Sequence, residues 1–142
     1  MTTSPIGRKL IESFEGLSLK AYLDQRHIQT IGYGHTGQLK PGDTCTPEQA
    51  DAWLVGDLAT AEGAVNRLAT VPLNQNQFDA LVSLCFNIGQ GNFEHSTLLS
   101  LLNQKAYLGA ANQFLVWKMT NGVLNQGLLN RRMQERALFL CM

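Results

Sequence analysis

The sequence predicts an α+β fold, in which a small N-terminal β-hairpin lobe is joined by a long helix to a mainly helical lobe. Apolar and polar residues alternate between Leu17 and Asp24, which is the period of a strand. From Thr46 onwards, apolar residues recur at helical spacing almost to the C-terminus. A chain of 142 residues has the length of about one domain, so we expect residues 1–142 to form one domain with a cleft between its two lobes.

Composition and charge argue against several classes of protein. With 44% hydrophobic and 15% charged residues, the chain is typical of a soluble globular protein rather than a disordered one. Lys+Arg and Asp+Glu each number eleven, so no overall positive field attracts nucleic acid, and we expect no nucleic-acid partner. The best candidate for a local basic patch is Arg131, Arg132 and Arg136.

The three cysteines, Cys45, Cys85 and Cys141, are odd in number and widely spaced, and they form no Cys/His cluster. We therefore expect no disulfide framework, no metal and no cofactor. Cys85 lies in an apolar helical pattern and is expected in the core. Residues 1–5 show no apolar run with a basic flank, and no stretch approaches the ~18 to 20 apolar residues of a membrane span. We expect a cytoplasmic chain without a signal peptide and without stable membrane association.

The first helix is predicted to begin at Ser4, as N-cap, with Pro5 in its first position, and to end at Gly16. Glu15 then lies in the last turn, where the negative end of the helix dipole should raise the pKa of its carboxyl group. A glutamic acid that keeps its proton near neutral pH is suited to general acid catalysis. The alternative is an ordinary surface glutamate at a helix end.

A hairpin is predicted to follow this helix. The first strand has one apolar face and ends at Asp24, residues 25–27 form a turn, and residues 29–34 form the return strand. Gly32 and Gly34 indicate a bulge or a close approach of the backbone. Two carboxylates held near each other at a helix-to-hairpin junction suit glycoside hydrolysis. The alternatives for Asp24 and Thr30 are turn formation and β propensity.

His35 follows the hairpin without a second histidine at ligand spacing, so a structural histidine paired with a carboxylate is favoured over a base or a metal ligand. Thr46 to Gln49 is a capping box that opens a helix of about twenty residues. Asn74 to Gln77 caps a buried helix that runs to Gly89. Further elements are predicted as a turn at 89–91, a short helix capped by Ser96, a helix at 108–118, a loop at 120–122 and a last helix at 125–140.

Three blocks of sequence resemble the phage-type lysozymes, or endolysins, of glycoside hydrolase family 24. The first keeps the family spacing of glutamate, eight residues, aspartate, five residues and threonine at Glu15, Asp24 and Thr30. The other two are Phe86–Gly89 with Ser96–Leu99 and Leu102-Asn103, and Gly127-Leu128 with Arg131, Arg132 and Glu135. The blocks lie in family order and cover nearly the whole chain, so the resemblance is specific and implies a lysozyme-like fold.

The resemblance implies hydrolysis of the β-1,4 bond between N-acetylmuramic acid and N-acetylglucosamine in peptidoglycan, leading to lysis of the host cell. Glu15 would be the general acid. Asp24 would stabilise the oxocarbenium-like transition state and help to activate water, and Thr30 would hold that water on the opposite face of the sugar. Such a water implies inversion at the anomeric carbon.

Other residues receive roles by the same resemblance. Arg131 would pack near Glu15 and orient it, and its charge would oppose the rise in the pKa of that glutamate. Thr36, Phe86 and Ser96 would line the cleft and bind substrate, although Phe86 is equally typical of plain core. His35 would support the site.

Zero net charge distinguishes this chain from the many cationic lysozymes that are drawn to an anionic cell wall. The resemblance implies a monomer that waits in the host cytoplasm and reaches the periplasmic wall through a pore made by a holin. Two other functions are compatible with a similar fold. A lytic transglycosylase would use a single acid and form an anhydro product, and a silent wall-binding module would need neither Asp24 nor Thr30.

Overall fold

The computed structural model describes every residue from Met1 to Met142. The chain divides into two compact units, here called the β unit (Arg8–Ala59) and the helical unit (Met1–Gly7 with Thr60–Met142). Helix α1 (Pro5–Glu15) runs from the helical unit into the β unit, which also holds β1 (Ser18–Leu23), β2 (Gln29–Gly32), β3 (His35–Thr36) and α2 (Pro47–Asp57). The helical unit contains α3 (Ala59–Leu68, from its second residue), α4 (Gln75–Ile88), α5 (Gln90–Glu94), α6 (Thr97–Asn103), α7 (Tyr107–Gln113), a 3₁₀ turn (Phe114–Val116), β4 (Met119–Thr120), β5 (Val123–Leu124) and α8 (Gln126–Phe139). The predicted α+β class is confirmed. None of these helices combines the length and the apolar character needed to cross a bilayer.

Both predicted ends of α1 are confirmed. The Ser4 hydroxyl accepts a hydrogen bond from the Gly7 N–H at 3.2 Å, which satisfies one of the open donors at the start of the helix. Gly16 has a φ of +71°, and its N–H donates to the Glu12 carbonyl at 3.1 Å. Because a left-handed backbone suits glycine, the helix ends there and Glu15 is its last residue.

The three strands of the β unit form an antiparallel sheet in the order β1-β2-β3. The strand pairing shifts between Ser18 and Tyr22, which interrupts the alternation of faces along β1. The apolar face predicted for this strand is not buried: Leu17 and Leu19 are each 44% exposed, and Leu23 is 54% exposed.

The return strand ends earlier than predicted, at Gly32, because residues 33 and 34 form a turn before β3. A Cβ on Gly32 would lie 3.1 Å from the Cβ of Ala50, so α2 packs directly on the backbone of β2. This bears out the expected close approach at Gly32, whereas no atom lies within 4 Å of a Cβ placed on Gly34. The predicted helix of about twenty residues is two helices, interrupted at Leu58. Gly56 precedes the interruption and weakens the helix, because glycine loses more conformational freedom there than other residues.

Helix α4 is the buried helix that the sequence predicts. Asn74 and Gln77 form a complete capping box at its start, and the residues from Phe78 to Cys85 are all buried. Burial raises the pKa of the Cys85 thiol to about 11, as expected for a cysteine that fills the core.

Three predictions in the helical unit need correction. The expected turn at residues 89–91 contains the start of α5, and the expected helix at 108–118 is α7 followed by a 3₁₀ turn. The expected loop at 120–122 is the tip of the hairpin β4–β5, in which Asn121 has a φ of +52°. Asn-Gly is a strong signal for a tight hairpin turn, and here the strands are too short to show an alternating pattern beside it.

The predicted basic patch near the C-terminus is also wrong. Arg131 is 5% exposed, and Arg132 and Glu135 are fully buried. The Glu135 carboxylate pairs with Arg132 Nε at 2.8 Å and with Arg131 Nε at 3.1 Å, and it accepts a hydrogen bond from the Ser83 hydroxyl. Two of the three arginines are thus buried around one shared carboxylate and do not form a cationic surface.

The carboxylate of Asp79 anchors the chain N-terminus to α4. It is fully buried, and it accepts hydrogen bonds from the Ser4 N–H at 3.0 Å, from the Ser4 hydroxyl and from Gln75 Nε2 at 2.8 Å. Gly7 lies against this carboxyl group, because a Cβ there would be 2.6 Å from Asp79 Cγ.

We expect Gly7→Ala to lower the free energy of unfolding by about 1–3 kcal/mol, because the held Asp79 side chain leaves no room for a methyl group. The matched control is Gly63→Ala in α3, where no atom lies within 4 Å of the new Cβ. Since alanine favours a helix by about 0.5–1 kcal/mol over glycine, that variant should be more stable than the wild type. Urea denaturation measures both, and equal effects of the two substitutions would contradict the close contact.

Candidate active site

Glu15 lies where the sequence predicts it, as the last residue of α1, and its side chain is half-buried. Two residues separate it from the first residue of β1, so its position is set by a helix end and the start of a sheet. A carboxyl group there is anchored by the helix yet borders an exposed hairpin.

Asp24 follows the last residue of β1 and organises the turn to β2. Its Oδ1 accepts hydrogen bonds from the Arg26 N–H at 2.8 Å and from the Ile28 N–H at 2.9 Å. The hydrogen bond from Ile28, then that from Arg26, holds the pKa of this carboxyl group below its ordinary value of 3.8. Both bonds go to one oxygen, so a negatively charged carboxylate with an open Oδ2 is held in a fixed position.

Thr30 is 4% exposed, and its hydroxyl donates to the Ile28 carbonyl at 2.9 Å. The same carbonyl accepts the Asp24 N–H at 3.0 Å. The main chain of Ile28 therefore binds both candidate catalytic residues of the hairpin. With its proton engaged, the Thr30 oxygen acts as an acceptor.

Thr36 lies opposite Thr30 in the pairing of β2 with β3, and Tyr22 lies opposite Thr30 in the pairing of β1 with β2. Residues paired across strands share a face of the sheet. The structure thus brings the predicted cleft-lining Thr36 next to Thr30, while Tyr22 and Thr36 are both exposed.

His35 pairs with a carboxylate, as the sequence favours. Its Nδ1 lies 2.8 Å from Asp57 Oδ2, and its ring stacks on Trp53 with centroids 4.6 Å apart and planes 7° apart. Sequence reasoning missed both partners. Trp53 and Asp57 are four residues apart on one helix, and this spacing was the available signal that they share a face.

The remaining predicted residues belong to the helical unit. Phe86 is half-buried near the end of α4, so it is not plain core. Ser96 is 7% exposed and caps α6: its hydroxyl accepts the Leu99 N–H at 3.1 Å and donates to the Phe93 carbonyl at 2.7 Å. The capping role is confirmed, whereas substrate contacts of Phe86 and Ser96 stay predictions. Arg131 donates to the Ser83 carbonyl at 3.1 Å besides its pairing with Glu135, and its orientation of Glu15 stays a prediction.

A cavity of about 550 Å³ opens in the helical unit beside the end of α4. Polar groups of Asn87, Asn92 and Arg132 and the indole of Trp117 line it together with Ile88, Val116, Met119 and Leu128. Arg132 Nη2 donates to Asn87 Oδ1 at 2.8 Å, which fixes both side chains at the cavity wall. Nowhere in the chain do three His, Cys, Asp or Glu side chains lie close enough together to hold a metal ion.

A carboxyl group at a helix end, followed by a fixed carboxylate and a threonine on a hairpin, is the equipment of a glycoside hydrolase that works with two carboxyl groups. The comparisons with known proteins agree with this class. The family model described as phage lysozyme matches residues 12–135. The endolysin of Salmonella phage P22 is 48% identical over 145 residues, covering 99% of each chain.

Solved structures give the same result. A P22 lysozyme mutant superposes with a TM-score of 0.94 at 46% identity, and the muramidase domain of SpmX from Asticaccaulis excentricus superposes with 0.94 at 42%. In both cases 99% of each chain is covered. The chain belongs to the phage lysozyme family. It is an enzyme, a lysozyme that hydrolyses peptidoglycan, and the resemblance found in the sequence is confirmed.

Proposed function

We propose that this lysozyme cleaves the β-1,4 bond between N-acetylmuramic acid and N-acetylglucosamine with inversion, and that Glu15, Asp24 and Thr30 are its catalytic residues. The observation that carries the proposal is the shared anchoring of Asp24 and Thr30 by the main chain of Ile28. It holds an ionised carboxylate and a hydroxyl acceptor at adjacent points of one hairpin, which is the requirement for placing one water molecule.

Glu15 acts as the general acid. Its proton passes to the oxygen of the glycosidic bond as that bond breaks, so the leaving sugar departs as an alcohol and positive charge develops on the anomeric carbon. The position at the end of α1 supports this role, because the carbonyl end of a helix disfavours the ionised form of a carboxyl group.

Asp24 and Thr30 act on the opposite face of the sugar. A water molecule that donates one hydrogen bond to the open Oδ2 of Asp24 and another to Thr30 Oγ1 presents a lone pair to the anomeric carbon. Its oxygen forms the new bond, and a proton leaves towards the Asp24 carboxylate. Inversion requires the two carboxyl groups to be about 6.5–9.5 Å apart, which leaves room for this water.

The other predicted residues have supporting roles in the proposal. Thr36 continues the sheet face of Thr30 and contacts the glycan together with Phe86 and Ser96. Arg131 orients Glu15. His35 pairs with Asp57 and stacks on Trp53, and these two contacts hold β3 against α2. Its role is therefore indirect, through the position of β3.

The proposed setting is a monomer that accumulates in the host cytoplasm and acts on the periplasmic wall after a holin has opened the membrane. Zero net charge and the burial of Arg131 and Arg132 support dependence on such a partner, because a neutral chain has no overall positive charge to draw it to intact cells.

Digestion of purified peptidoglycan, with mass spectrometry of the released muropeptides, tests the proposal. We expect products with a reducing-end N-acetylmuramic acid and one added water per cleavage, and proton NMR of freshly cut glycan should show the α anomer first. Anhydro ends would assign the chain to the lytic transglycosylases. Folded protein that releases nothing would assign it to silent wall-binding modules.

A further inference from the structure

Tyr22 shares one face of the β-hairpin with the candidate catalytic residues Asp24 and Thr30. It lies directly opposite Thr30 in the pairing of β1 with β2, a position in which two Cβ atoms are about 4.5–5.5 Å apart. Asp24 lies two residues further along the chain, and its N–H continues the pairing by donating to the Ile28 carbonyl at 3.0 Å. Because side chains alternate between faces along a strand, Tyr22 and Asp24 lie on the same side. A bulky aromatic side chain therefore borders both residues that are proposed to hold the attacking water.

The Thr30 side chain is much less exposed than its neighbours in this row. Thr30 is 4% exposed, whereas Tyr22 and Thr36, which pair with it from the strands on either side, are both exposed. Tyr22 is the larger of these two neighbours and is 44% exposed, so part of its ring projects from the sheet. The hydroxyl oxygen of Thr30 thus lies at the bottom of the row, between two side chains that stand above it.

We propose that Tyr22 is a specificity-determining residue, whose ring narrows the approach to Asp24 and Thr30 so that water attacks the anomeric carbon and larger hydroxyl compounds do not. The proposal rests on the roles proposed above for Asp24 and Thr30. Water and alcohols attack through the same kind of oxygen atom, so a steric clash with the larger molecule is the direct way to discriminate between them. The cell wall surrounds the enzyme with sugar hydroxyl groups, and attack by one of these would form a new glycosidic bond instead of cutting the strand.

The reaction that Tyr22 excludes is alcoholysis. The alcohol oxygen forms a bond to the anomeric carbon as the bond to the leaving sugar breaks. Glu15 gives its proton to the leaving oxygen, and the proton of the alcohol passes to the Asp24 carboxylate. The product is a glycoside of the alcohol and has no reducing end. Methanol is the smallest alcohol that can probe this step, because it exceeds water by a single methylene unit.

The test is digestion of purified peptidoglycan by the full chain in dilute aqueous methanol. Borohydride reduces the hydrolysis product but not the methyl glycoside, so mass spectrometry separates the two and gives their ratio. We expect Tyr22→Ala to raise the ratio of methyl glycoside to hydrolysis product several-fold, and Tyr22→Phe, which keeps the ring, to give the wild-type ratio. Leu23→Ala is the matched control, because Leu23 is the next residue of β1, is 54% exposed and lies on the opposite face. It should also give the wild-type ratio.

This ratio does not depend on the total activity, so a variant that is only less stable leaves it unchanged. If Tyr22→Ala does not fold, Tyr22→Leu replaces it and should give a smaller increase. Equal ratios in the wild type and in the folded alanine or leucine variant would overturn the proposal. An equal increase in Leu23→Ala would also overturn it, because a loosened hairpin would then admit methanol. A wild-type hydrolysis product that forms first as the β anomer would overturn the inverting mechanism instead, and that outcome is read by NMR rather than from the ratio.

Discussion

Replacing Glu15 by glutamine is expected to lower kcat on peptidoglycan by a factor on the order of 10² to 10⁴, with the fold intact. The amide has nearly the shape of the acid, but it has no proton to give to the leaving oxygen, so the sugar would depart as an alkoxide. Turnover of purified peptidoglycan measures the effect, and circular dichroism with thermal denaturation establishes that the variant is folded. Glu94→Gln, at an exposed position of α5, is the control and should keep wild-type activity.

Substitutions on the hairpin complete this experiment. Asp24→Asn keeps a side chain that can accept the turn hydrogen bonds but removes the negative charge, and Thr30→Ala removes the hydroxyl acceptor. Both should lose most activity, and the threonine variant should also show a changed ratio of product anomers if Thr30 positions the water. Wall clearing at near wild-type rates by folded Glu15→Gln protein would refute the role of the glutamate.

Glu135→Ala is expected to destabilise the protein by about 3–5 kcal/mol, because it leaves the fully buried guanidinium of Arg132 without its carboxylate. Burial already raises the pKa of Glu135 and lowers that of Arg132, so the pair is held in an environment that disfavours both charges. The expected fall in Tm is roughly 10 °C. Calorimetry at constant pH measures it, with reversibility checked by a second scan.

The control for this experiment is Met133→Ala on the same helix, where the side chain is 56% exposed and a change within about 0.5 kcal/mol is expected. Glu135→Gln serves as a second variant, since it keeps the shape and a hydrogen bond to Ser83 while removing the charge. If both Glu135 variants melted within about 2 °C of the wild type, the buried ion pair would have no net role in stability.

The local features of the fold were largely predictable. Ser4 and Gly16 bound α1, and Thr46 and Asn74 open their helices, because a cap depends on residues only three or four positions apart. The predicted turn after Asp24 was correct for the same reason. The exposure of the leucines on β1 was not predictable, because an irregular pairing with β2 breaks the alternation that indicates a buried face.

The candidate site likewise has features that the sequence determines and features that depend on tertiary packing. The order and spacing of Glu15, Asp24 and Thr30 are properties of the sequence, and the helix cap and turn that position the first two are local to it. The tertiary structure alone decided that the Ile28 main chain joins Asp24 to Thr30 and that Asp57 is the partner of His35. It also decided that Arg131 and Arg132 are buried against Glu135 and Ser83 rather than exposed. Ser83 lies 48 residues from Arg131 in the chain, and only packing determines whether a charged side chain so placed meets water or a partner.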